Sequence, residues 1–141
     1  MAIPSLARAL YAFLSTYAPL TAIVGTRIYP GIAPTSASFP YITLQELMVG
    51  STYHLDGATA TFDTMVQVDC WALEPMQAHQ MAQVIRQSMD GLPASWDGLE
   101  VDGVFVDSEQ DAPEPAQDGS ERAYYRRILT ISVWHMREVP A

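Results

Sequence analysis

Phe62-Asp63-Thr64-Met65-Val66-Gln67-Val68-Asp69-Cys70-Trp71-Ala72-Leu73, in the middle of the chain, is the stretch whose reading decides the fold. In an extended chain successive side chains point to opposite faces. Phe62, Val66, Val68, Cys70 and Ala72 therefore share one face, and Asp63, Gln67 and Asp69 share the other. A half-buried strand satisfies both sets, and its β-branched and aromatic residues suit a pleated surface. Met65 and Trp71 interrupt the polar face, which predicts a central strand whose second face is not fully wet.

Before this strand, residues 41–49 read as another, with Ile42, Leu44 and Met48 on one face and Glu46 the misfit among them. Asp56-Gly57 is a hairpin signal between the two. A strict two-residue turn would set Val68 opposite Gln45 and Cys70 opposite Thr43, mixing the apolar faces. A bulge near Gly50, or an odd loop, is therefore expected. Nearer the N-terminus, Leu6, Leu10, Phe13, Leu14 and Tyr17 form one helical stripe over residues 5–17, ended by Ala18-Pro19. Residues 20–24 read as one further turn, stopped by Gly25. Arg27 to Pro30 is a short extended piece. The following loop is held by Pro30, Pro34 and Pro40 in one shape, which makes it a candidate contact arm.

After the central strand, Ala78, Met81, Ala82, Ile85, Met89 and Leu92 keep a helical stripe from Pro75 to Leu92. Residues 99–106 read as a strand kinked at Gly103. Residues 107–121 are rich in Asp and Glu, with Pro113 and Pro115, and read as an acidic mobile loop. Residues 122–135 form the last strand, with Tyr125, Leu129, Ile131 and Val133 on one face and Arg126, Thr130 and Ser132 on the other. Helices and strands are segregated rather than alternating. The pattern predicts one α+β domain over residues 1–141, with a mainly antiparallel sheet of about four strands and two helices packed on one face. The other face, carrying Met65, Trp71 and Trp134 beside Arg126, is expected to be covered by a neighbouring chain.

Composition narrows the function classes. The chain has 141 residues, 49% hydrophobic and only 16% charged, with a formal net charge of -9. A surface so sparse in charge fits a subunit that assembles. Its basic residues are all Arg, so no lysine track can follow a phosphate backbone. The one cysteine, Cys70, lies on the apolar face of the central strand and reads as a core residue. His54, His79 and His135 fall on three separate elements without metal-ligand spacing. No phosphate-cradling glycine pattern, nucleophile elbow or EF-hand loop is present, and no catalytic, metal or cofactor site is expected. No apolar run reaches the ~20 residues a membrane span requires. The N-terminus also lacks the layout of a signal peptide, so a soluble chain is expected.

Three segments carry a resemblance. They are Leu20-Thr21-Ala22-Ile23-Val24-Gly25-Thr26-Arg27-Ile28-Tyr29-Pro30 with Ala33-Pro34 and Phe39-Pro40-Tyr41-Ile42; Val66-Gln67-Val68-Asp69-Cys70-Trp71 with the helix after it; and Tyr124-Tyr125-Arg126-Arg127-Ile128 leading to Val133-Trp134-His135. In order and spacing they resemble the tail completion or tail terminator proteins of long-tailed bacteriophages, prophages and gene-transfer particles. The resemblance implies a non-enzymatic virion subunit that forms a ring, commonly a hexamer, on the head-proximal end of the tail tube. Such a ring stops tube polymerisation and joins the tail to the head connector. The partners implied are further copies of the chain, the tail tube protein and a connector or neck protein. DNA would pass through without specific binding, and no membrane is involved. A head-side neck adaptor is the competing role in the same particle, and a small ligand-binding domain or enzyme the competitor from another class. Head-to-tail ring closure needs two different surfaces on each copy. The expected subunit contacts are Arg27, Tyr29, Phe39, Trp71, Arg126 and Trp134. Asp107, Glu109, Asp111, Glu114 and Asp118 are expected at the lumen or its rim, where carboxylates would let DNA slide.

Overall fold

The computed structural model describes residues 6–53, 60–89, 94–96, 99–112 and 124–136. Along the chain run α1 (Leu6–Thr16), α2 (Ala18–Val24), β1 (Ile28–Pro30), β2 (Tyr41–Tyr53) and β3 (Ala60–Ala72). They are followed by α3 (Pro75–Ser88), β4 (Ala94–Trp96), β5 (Leu99–Asp111) and β6 (Tyr125–Met136). The strands form one sheet in the order β1-β2-β3-β6-β5-β4. β1 pairs parallel to β2, and the other pairs are antiparallel. The four long strands are those the alternation predicts. β1 and β4 are three-residue additions at the two edges, and nothing in the sequence pattern marks β4.

The alternation of β3 is realised in its burial. Val66, Val68, Cys70 and Ala72 are fully buried, beside Ile42 and Leu44 of β2 and Leu129, Ile131 and Val133 of β6. Onto this face pack Leu6, Leu10 and Leu14 of α1, Leu20 and Val24 of α2, and the Ala78, Met81, Ala82, Ile85 stripe of α3 with Met89 just after it. Each leucine so buried stabilises the fold by about 1.5–3 kcal/mol. α1 lies against β1 and β2 and reaches β4, while α3 lies against β3 and β6. Burial pushes the Cys70 thiol far up, so it remains a protonated core group.

α3 ends at Ser88 rather than Leu92 and β2 runs on to Tyr53, and three elements differ in more than their ends. Pro19 ends α1 as expected, but it also opens a seven-residue α2, where a proline is tolerated because its missing N–H has no helical partner. The β2 bulge lies at Leu47 rather than near Gly50. Val68 therefore pairs with Leu44 and Cys70 with Ile42, as the apolar faces require, and Met48 falls in register with Met65 of the opposite face. The Asp56-Gly57 turn lies outside the described residues. Glu46, the misfit on the apolar face, has a use there. Its Oε1 accepts the backbone N–H of Ala7 at 3.0 Å, in the first turn of a helix that has no acidic residue of its own there.

The third difference is β5, which continues to Asp111, so residues 107–111 are strand rather than loop. Register shifts at Asp102, beside the expected kink at Gly103, and at Asp107 bend it. Beyond the second bulge, Glu109 and Asp111 fall on the helix-side face opposite Leu129 and Arg127. Glu109 accepts hydrogen bonds from Arg86 of α3, at 2.9 Å, and from Arg127; Arg127 also donates to Asp111 at 2.6 Å. Burial alone would raise the Glu109 carboxyl, but these bonds and charges outweigh it and hold it below its ordinary value. Burial would likewise lower Arg127, and its two acidic partners raise it instead.

These contacts set the stability of two positions. Gly25 closes α2 at φ 60°, ψ -124°, with its N–H on the Thr21 carbonyl. A Cβ there would meet only the Arg27 guanidinium at an ordinary 3.6 Å, so Gly25→Ala loses stability through the backbone alone, by about 1–3 kcal/mol. Urea unfolding of the variant should show a lower midpoint with an unchanged slope. Because the folded Glu109 carboxyl is depressed, its contribution is present above the unfolded value of about 4.3 and is lost as pH falls through the folded one. Glu109→Gln should therefore be less stable than the parent by roughly 1–3 kcal/mol at neutral pH. That gap should shrink as the pH is lowered below about 4, read from paired urea midpoints.

Candidate functional site

The sheet face turned away from the helices carries one polar and aromatic cluster. Asp69 lies on it with only 7% of its surface exposed. Its Oδ2 accepts hydrogen bonds from Arg126 Nη2 at 2.8 Å and Nε at 3.2 Å, and both its oxygens accept from Gln67 Nε2. β3 and β6 are in register at Trp71↔Arg126, which places the guanidinium 4.9 Å from the centroid of the Trp71 ring. The Trp71 indole N–H donates to Thr43 Oγ1 at 3.0 Å, so this ring is held through its N–H as well as its face.

Around Trp71 the rings continue onto the arm. Tyr41 stacks on Trp71 with centroids 5.8 Å apart, and Phe39 contacts Tyr41 at 5.1 Å and stacks on Tyr124 at 5.2 Å. Tyr29 meets Tyr41 edge-on at 5.9 Å. Burial, then the neighbouring Tyr124 and Tyr29 hydroxyls, push the Tyr41 phenol up, so it stays neutral at ordinary pH. The arm between β1 and β2 is tied down at its base. Arg27 Nε donates to the Pro40 carbonyl at 2.8 Å and Nη2 to that of Ile23 at 3.4 Å, and the Gly31 N–H donates to Leu44 O at 2.7 Å. The Phe39–Pro40 peptide is cis. Ile32, next to Gly31, projects with 92% of its surface exposed.

Of the residues expected at subunit contacts, Tyr29, Phe39, Trp71 and Arg126 come together here. Arg27 instead braces the arm through backbone carbonyls. Trp134 lies toward the other end of the face, opposite Gly103, with the exposed Phe105 two residues further along β5. The expected lumen residues are elsewhere. Asp107 is exposed at its bulge, Glu109 and Asp111 are ion-paired on the helix side, and Glu114 and Asp118 lie outside the described residues. Asp69, Thr43, Tyr41 and Tyr124 belong to the cluster although the sequence pattern does not single them out. Parity alone puts Asp69 with Trp71 and Tyr124 with Arg126, and only the β3–β6 register, which no short turn fixes, joins the two pairs.

The cluster is built of stacked rings around one ion pair. Among the described residues no group of His, Cys, Asp and Glu could hold a metal ion, and no helix is long and apolar enough to cross a membrane. His135 is buried and shares a 2.8 Å hydrogen bond with Thr64, and His79 is exposed on α3. A cleft of about 540 Å³ opens between α3 and the edge of β5, lined by Gln83, Arg86, Gln87, Met89, Val104, Phe105 and Val106.

No curated protein sequence matches the chain. Chains of solved structures do, among them one from the virion of a native gene transfer agent particle. It superposes with a TM-score of 0.68 at 21% identity, covering 94% of this chain and 95% of that one. At that identity the likeness shows a shared fold. The model of the family described as tail completion protein gp17 matches residues 8–136, nearly the whole chain. The order of segments, the α+β fold and this match agree, and the chain belongs to the tail completion protein gp17 family.

Proposed function

We propose that this chain is a structural virion protein, the terminator subunit of a phage-type tail, and that it performs no catalysis. Copies form a hexameric ring on the head-proximal end of the tail tube, stop its polymerisation and present a surface to the head connector or neck. The observation that carries this reading is the family match over residues 8–136. The shared fold with a gene transfer agent virion chain supports it, as does a sheet face organised around rings and one ion pair.

In this ring the copies meet through the arm and the outer sheet face, the region of Arg27, Tyr29, Phe39, Trp71, Arg126 and Trp134. Arg126 and Trp71 act there as the rigid floor, since their polar groups are engaged within their own chain. The exposed Ile32 and Trp134 supply free apolar surface. Glu109 and Asp111 being ion-paired, Asp107, Glu114 and Asp118 carry the acidic rim past which the duplex slides without binding.

Particles produced without this chain test the role directly. Negative-stain images should show tubes longer than normal and heads without attached tails. Tails of ordinary length joined to heads would contradict it.

A further inference from the structure

Two opposite edges of the sheet differ in both chemistry and shape. Residues 1–45 contain two arginines and no carboxylate, while residues 46–141 hold all 16 carboxylates and five of the seven arginines. Of the first segment, β1 and the arm form the β1 edge, while α1 and α2 cover the helix side and α1 reaches β4. At the other edge, β5 contains five carboxylates and no basic residue. Arg86 and Arg127 pair with Glu109 and Asp111, leaving Asp107 exposed on its bulge.

Each edge also presents an unsheltered apolar residue. Ile32 of the arm is 92% exposed, and Phe105 of β5 is 57% exposed. Among the described residues, β4 covers β5 only at Leu99–Val101, so from Gly103 to Asp111 the outer side of the strand has no strand beside it. Bulges at Asp102 and Asp107 make that edge a poor template for strand addition, which leaves side-chain docking as its use. Val104 and Val106 face the helix layer opposite Val133 and Ile131, and Phe105 alternates to the other side. The α3–β5 cleft thus opens beside Phe105.

We propose that the arm of one copy docks on the β5 edge of the next, with Ile32 seated against Phe105 and the mouth of the α3–β5 cleft. The occupant is a second copy because this chain carries both halves: a braced, carboxylate-free arm on one edge and an acidic edge with an apolar notch on the other. The arm brings no carboxylate against the acidic edge, since residues 28–45 are uncharged, and apolar contact holds it there. Since the two surfaces are different and lie at opposite edges, the contact is head-to-tail, the kind that closes into rings. This inference rests on the ring proposed above and narrows its interface to the Phe105 end of the outer sheet face, near Trp134.

The test is Ile32→Cys combined with Phe105→Cys in the full chain, treated with a short bismaleimide. Cys70 is buried and can remain. Both substitutions are at exposed positions, and circular dichroism checks that the fold is kept. The double variant should give a ladder of cross-linked species up to the mass of the ring, while each single variant gives dimers at most. A native mass of a ring without a ladder overturns the edge pairing and leaves the ring standing. A ladder from either single variant, or cross-linking that stops at dimers in the double, also overturns it. A monomer at every concentration and in assembling particles overturns both readings.

Discussion

Asp69 sits in the middle strand with its carboxylate almost out of water, and a charge so placed needs a cation at contact distance. Arg126 meets that need across the strand pair, and its guanidinium then lies over Trp71. Arg126 keeps 23% of its side chain exposed, so breaking the pair costs less than the about 3–5 kcal/mol of a fully buried one, and the intact pair adds little net stability. Its consequence here is specificity of arrangement. With β3 and β6 locked in this register, Trp71 has one position, Tyr41 stacks against it, and Phe39 and Tyr29 bring the arm down onto the same face. The helix-side face obeys the same rule at its rim, where Arg86 and Arg127 hold Glu109.

The repeating parts of this fold are legible in the sequence because burial is periodic. The 3.6-residue stripes of Leu6, Leu10 and Leu14 and of Ala78, Met81, Ala82 and Ile85, and the two-residue alternation of Val66, Val68 and Cys70, each require a covered face. The bulge in β2 could be anticipated from the clash of faces, but not its place. Leu47 takes it because Glu46 remains on the helix side and reaches Ala7, a contact 39 residues away in the chain. Residues 107–111 read as a loop because their carboxylates look solvated until Arg86 and Arg127 are brought beside them. β4 is too short to show a period.

The cluster on the outer face was half legible for the same reason. Trp71 and Arg126 stand out by residue type, as do the ring-bearing ends of the arm. Asp69 looks like an ordinary polar position on a half-exposed strand until the register reveals its partner. The surface thereby divides its labour. The part around Trp71 is satisfied within the chain and gives a rigid floor, while Ile32, Phe105 and Trp134 remain exposed and free to contact other molecules. A surface organised this way suits a structural virion protein, in keeping with its family.

If copies of this fold end a tube, as proposed, the chain has one place in the particle. Cryo-electron microscopy of intact particles is the most direct measurement. Density for the six-stranded sheet and its three helices is expected as a ring between the last tube layer and the connector. Finding this chain elsewhere in the particle, or absent from it, would contradict the claim.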